Sequence, residues 1–127
     1  METKLIVCFD ATEGQIQALK KFCREKIDSS YIVSVRAIFT EDMVFSLSVF
    51  ANRPEIFFGV YSKSDKSIHT DIAVPEDMFS EILNDIDDEY TFATTRKPPK
   101  VNEDLALAWI RYINNPTARK HERTFKL

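Results

Sequence analysis

With 127 residues, 44% apolar and 29% charged side chains, the chain has the length and composition of one globular domain. Its glycines, Gly14 and Gly59, are too few and too far apart for a phosphate-cradling loop or a dinucleotide-binding turn. No apolar run approaches the ~20 residues of a membrane-spanning helix, and no basic stretch leads into a long apolar one, so a cytoplasmic protein with no membrane partner is expected.

The N-terminal run Lys4–Phe9 is short, apolar and β-branched at its centre, which predicts a buried strand. After Thr12, the residues Ile16, Leu19, Phe22, Cys23 and Ile27 recur at helical steps, giving one amphipathic helix that stops at Asp28-Ser29-Ser30. The alternating stretches Tyr31–Phe39 and Met43–Ala51 predict two strands with one buried side, joined as a hairpin across Thr40–Asp42. Glu55–Ser62 and Ser67–Val74 predict a second hairpin.

Pro75 then opens a helix with Glu76 and Asp77 in its first turn and Met78, Phe79, Ile82, Leu83, Ile86 and Tyr90 on its inner face. A connector follows, with a short strand at Tyr90–Ala93 and a break at Pro98-Pro99. Asn102 caps a final helix through Ile113, closed by Asn114-Asn115-Pro116. The order β-α-β-β-β-β-α-(β)-α predicts an α+β domain over 1–115. Its sheet is mainly antiparallel, of four or five strands, with helices on one face in a cystatin-like or ferredoxin-like variant, and residues 116–127 form a basic tail.

Charge is segregated along the chain. Residues 1–70 balance, residues 71–95 hold eight acids and no Lys or Arg, and residues 96–127 hold eight basic side chains against Glu103, Asp104 and Glu122. The acidic helix presents Glu76, Asp77, Glu81, Asp85, Asp88 and Glu89 outward, a set that repels itself at i, i+4 spacing. The tail offers Arg119, Lys120, Arg123 and Lys126.

The stretch Cys8–Gly14 invites comparison with phosphoryl-transfer enzymes of the haloacid-dehalogenase type, which end their first strand in Asp-x-Asp-Gly-Thr. Here the first acid is replaced by Cys8 and only Asp10 remains. Cys8 lies within an apolar run, where burial opposes thiolate formation. The local pattern fits a helix start instead: Thr12 as N-cap, with Gln15 three residues on completing a capping box. Cys8 and Cys23, without CxxC spacing, read as buried free thiols.

Two further groups bear on function. His69 and Asp71 alternate along one stretch and, with Asp10, make up the residue set of a small hydrolase. No third metal ligand is suggested by spacing, and no cofactor or metal is expected. Arg36, Phe57, Tyr61, Arg96, Lys97 and Lys100 make up a nucleic-acid face, if the sheet aromatics are not covered by the last helix, which must bury Leu105, Trp109 and Tyr112 somewhere.

The sequence therefore reads first as a small non-enzymatic protein-binding module. It modulates a larger, nucleic-acid-handling machine through its acidic helix and basic tail, its partner offering a basic docking surface. Compact accessory and inhibitor proteins, including many that phages encode, share this size and charge. RNA or DNA binding through the basic C-terminal segment and sheet aromatics, and hydrolysis around Asp10, His69 and Asp71, are the alternatives.

Overall fold

A computed structural model describes residues 2–27, 33–50, 53–96 and 102–127. Chain direction explains the sheet. Strand β1 (Lys4–Cys8) runs up, helix α1 (Glu13–Lys26) returns, and β2 (Val33–Ile38), β3 (Met43–Val49) and β4 (Glu55–Ser62) then alternate. When β4 lies beside β1, both must point the same way, and they pair in parallel from Lys4↔Glu55 to Cys8↔Gly59. Short β5 (Ser67–His69) continues along the same side of β4, antiparallel to it, from Val60 to Ser62. Helices α2 (Glu76–Arg96) and α3 (Glu103–Ile113), a 3-10 turn at Ala118–His121 and strand β6 (Arg123–Lys126) complete the chain.

The sheet is six-stranded and mixed, in the order β2-β3-β4-β1-β6, with β5 on β4. Four of its five pairings are antiparallel, so the sheet is mainly antiparallel as expected, but it has six strands, not four or five, and its β1–β4 pair is parallel. The segment 123–126, expected in a tail, is the edge strand β6, antiparallel to β1 from Arg123↔Val7 to Lys126↔Lys4. The strand expected at Tyr90–Ala93 is helix, because α2 continues to Arg96. Of the stretch Ser67–Val74, the first three residues form β5, and Asp10 then bridges Ala73. Asp28–Ser30, Pro98 and Pro99 lie outside the described residues.

Helices cover both sheet faces, not one. On the first face Leu5, Val7, Phe45, Leu47, Phe58 and Val60 meet Ile16, Leu19 and Phe22 of α1 and Phe79, Ile82, Ile86 and Tyr90 of α2. On the second, Ile6, Cys8, Val44, Phe57 and Tyr61 meet Leu105, Ala108, Trp109 and Tyr112 of α3. The second face demands burial because its strands carry Val44, Phe57 and Tyr61, with Phe50 just past the end of β3, and leaving a large apolar side chain in solvent forfeits ~1.5–3 kcal/mol.

Serines interleaved there are paired: Ser34 and Ser48 hydroxyls lie 3.1 Å apart, and Ser46 donates to the Gly59 carbonyl at 3.3 Å. Gly59 is what lets α3 seat its tryptophan. A Cβ at that position would stand 2.9 Å from the Trp109 ring.

The helix starts follow their sequence signals. The Gln15 backbone N–H donates to Thr12 Oγ1 at 3.2 Å, and the Thr12 N–H donates to Gln15 Oε1 at 3.0 Å, closing the capping box. The Gln15 amide also donates to the Val74 carbonyl at 2.7 Å, tying the start of α1 to the residues before α2. Asn102 caps α3 through Leu105 N–H.

Candidate functional site

Helix α2 packs chiefly over β2, at one edge of the sheet. Its 3.6-residue period buries Phe79, Ile82, Ile86 and Tyr90 and leaves Glu76, Asp77, Glu81, Asp85, Asp88 and Glu89 exposed. Asp77, Glu81, Asp85 and Glu89 fall at four-residue steps, so their stems form one ridge rising roughly 6 Å per step.

Some of these acids have local partners. Glu76 accepts from the Thr12 hydroxyl at 2.8 Å, and Asp77 lies in the first turn, where the helix dipole favours a negative charge. Asp87 lies 3.3 Å from Lys26 Nζ. Glu89 accepts from the Arg36 backbone N–H on edge strand β2, while partial burial of its carboxyl raises its pKa. Glu81, Asp85 and Asp88 have no ion pair or side-chain hydrogen bond among the described residues.

The basic segment lies at the opposite edge. Four strand spacings, roughly 19 Å at ~4.8 Å each, separate β2 from β6. The first turn of α2 nevertheless approaches the basic strand, since Glu76 bonds Thr12 and Arg123 bonds the adjoining Ala11 carbonyl. Among the described residues no ion pair joins the two. Arg119 is committed internally: its Nε lies 3.0 Å from both Glu122 oxygens, its Nη2 2.7 Å from Oε1, and its Nη1 donates to the Ile113 carbonyl. The Tyr112 hydroxyl donates to Glu122 Oε2 at 3.0 Å.

This clasp fastens the 3-10 turn to α3. The Glu122 hydrogen bonds hold the Arg119 pKa up, and burial raises Tyr112 above the ordinary phenol range. Arg123 Nη2 donates to the Ala11 carbonyl at 2.6 Å, and Lys126 Nζ lies 4.0 Å from Glu2. Lys120 is exposed.

The aromatic nucleic-acid face is corrected by α3: Phe57 is 0% and Tyr61 5% exposed beneath it, with Phe57 packed on Trp109 at a centroid distance of 5.5 Å. Arg36 is exposed on β2. The Arg96 side chain, Lys97 and Lys100 lie outside the described residues.

The hydrolase set does not assemble as expected. Asp10 and Asp71 line one cleft, joined there by His121 and Arg123. His69, the last residue of β5, turns its ring to the β4–β5 turn instead, its Nε2 3.1 Å from Asp65 Oδ2 and 3.3 Å from the Ser67 hydroxyl. Pattern reading assigned Arg123 to the basic tail and joined neither it nor His121 to these aspartates, because their place depends on β6 pairing with β1. Burial pushes the Cys8 and Cys23 thiols up to about 12, which leaves them protonated and unreactive near neutrality. Among the described residues no three His, Cys, Asp or Glu side chains are grouped to hold a metal ion, and no helix is long and apolar enough to cross a membrane.

No protein-family model, curated protein or solved structure matches this chain.

Proposed function

We propose that the protein is a binding module that docks the acidic ridge of α2 onto a basic surface of a larger protein, such as the nucleic-acid-binding face of an enzyme. The observation that carries this reading is the group Glu81, Asp85 and Asp88, three exposed carboxylates at i, i+4 and i+3 steps with no cation beside them among the described residues. Like charges so placed cost a helix about 0.2–0.5 kcal/mol per pair, so folding alone does not favour them. A basic partner converts that cost into attraction and speeds encounter. Lys120 and Lys126 are the cations of the C-terminal segment with the fewest internal commitments and supply a secondary contact.

The test compares the wild-type chain with Glu81→Gln/Asp85→Asn/Asp88→Asn in capture from nuclease-treated lysate at low and high salt. The reading expects one protein that is retained by the wild type at low salt, released at high salt and not captured by the triple variant. Equal capture by both chains would refute it. Direct nucleic-acid binding has less support, since its stacking aromatics are buried; an eluate emptied by nuclease would favour it.

A further inference from the structure

The cleft at the upper end of β1 has features that neither the fold nor the acidic ridge uses. Beyond Cys8 the chain continues as Phe9 and Asp10, held against the residues after β5 by the Asp10 N–H, which donates to the Ile72 carbonyl at 2.8 Å. On the other side of β1, β6 begins at Arg123, opposite Val7. Beyond that point lies a cleft of 280 Å³, lined by Phe9, Asp10, Thr70, Asp71, His121 and Arg123. That is just below the ~300–1,000 Å³ range of pockets for drug-sized ligands.

Its charges are sorted by side. Asp71 comes from the β5–α2 connector, and Asp10 from the end of β1. Both bases, His121 and Arg123, come from the C-terminal segment on the far side. Carboxylates and bases that face each other across a cleft normally pair. Here none of Asp10, Asp71 and His121 has an ion pair or side-chain hydrogen bond among the described residues. Arg123 is held back from them by its 2.6 Å bond to the Ala11 carbonyl, and its guanidinium lies 5.9 Å from the Phe125 ring centroid.

The arrangement discriminates between ligand classes. A phosphate would face two carboxylates, and the described residues group no three ligands for a metal. A molecule with an ammonium at one end and a carboxylate at the other meets Asp10 and Asp71 with the first and Arg123 and His121 with the second. Asp71 and β6 lie on opposite sides of β1, about two strand spacings or roughly 10 Å apart between backbones, with Asp10 between them. The 280 Å³ cleft has room for a ligand the size of a dipeptide. We propose that this cleft binds a small zwitterion of dipeptide size, its ammonium on the aspartates and its carboxylate on Arg123 and His121.

Amide-resolved NMR titration of the full chain tests this, with diglycine, N-acetyl-diglycine and diglycine amide as probes. Diglycine is expected to give saturable shifts at Asp10, Ala11, Asp71 and Arg123, with each capped form binding about tenfold more weakly for loss of one charge-assisted contact. Asp71→Asn, an exposed position, is expected to weaken diglycine by about tenfold while the rest of the spectrum is unchanged. No saturable shift up to the solubility limit, or equal binding of capped and free peptides, would overturn the proposal.

Discussion

At the β6 edge of the sheet, Arg119 is consumed by the fold, closing a clasp with Glu122 and the Tyr112 hydroxyl. At the β2 edge the reverse holds, because α2 turns Glu81, Asp85 and Asp88 to solvent without a partner among the described residues. Charge density alone would rank both regions as binding surfaces. The difference shows that a basic run can be a fastening device, whereas those three carboxylates of α2 have no such internal use among the described residues, which is why the proposed reading places a partner there.

The comparison can be broken or sharpened experimentally. The largest effect lies in the layer that carries the clasp. Trp109→Ala empties a fully buried site between α3 and Gly59, and we expect a loss of about 3–5 kcal/mol in urea unfolding. Glu122→Ala strands Arg119 and the Tyr112 hydroxyl, for an expected loss of about 2–3 kcal/mol in the same assay, with faster amide exchange across β6. A loss near zero would place the clasp among ornamental surface pairs and erase the contrast between the edges.

Thr12→Ala removes the α1 cap together with the hydroxyl bonded to Glu76, and should cost about 1 kcal/mol. Neutralising Glu81, Asp85 and Asp88 should leave the unfolding midpoint unchanged or slightly raised, since the like-charge pairs are each worth only about 0.2–0.5 kcal/mol.

The smallest effect is a pH response at the β4–β5 turn. Hydrogen bonds from Ser67, His69 and Ser62 hold Asp65 down to about 2, below its ordinary 3.8. A carboxylate lowered in this way stabilises the fold above its unfolded pKa and loses that contribution as pH falls through the folded one. The Ser67 and Ile68 amides of the folded protein should therefore titrate with a midpoint near pH 2, as read by NMR, while the stability contribution is lost between about pH 4 and pH 2. An amide midpoint near 3.8 would contradict it.

Much of this fold was legible in the residues. The boundaries of β4 and α3 agree with the sequence because the turn at Pro54, the Asn102 cap and the Asn114–Pro116 stop are local signals. The acidic face of α2 was readable from its period alone. The helix runs past Tyr90 although Thr91–Arg96 is rich in β-branched residues, since tertiary context overrides a weak propensity. Strand β6 was hidden because Arg-Thr-Phe-Lys is too short to show a period, and pairing with β1 creates it.

The parallel β1–β4 pair followed from counting chain reversals, once the neighbours were known. Burial of the second sheet face had a visible cue, since Phe50, Phe57 and Tyr61 and the apolar stripe of α3 each needed cover. Of the cleft, Asp10 and Asp71 were grouped from the sequence as part of a hydrolase set, whereas His121 and Arg123 join them only through sheet register.

The most direct test of the docking account is zero-length carbodiimide coupling of the captured complex, which joins carboxylates to lysines in contact, followed by peptide mass spectrometry. The account predicts that coupled peptides contain Glu81, Asp85 or Asp88 joined to partner lysines. Coupling confined to carboxylates elsewhere, with residues 76–89 recovered unmodified, would contradict it.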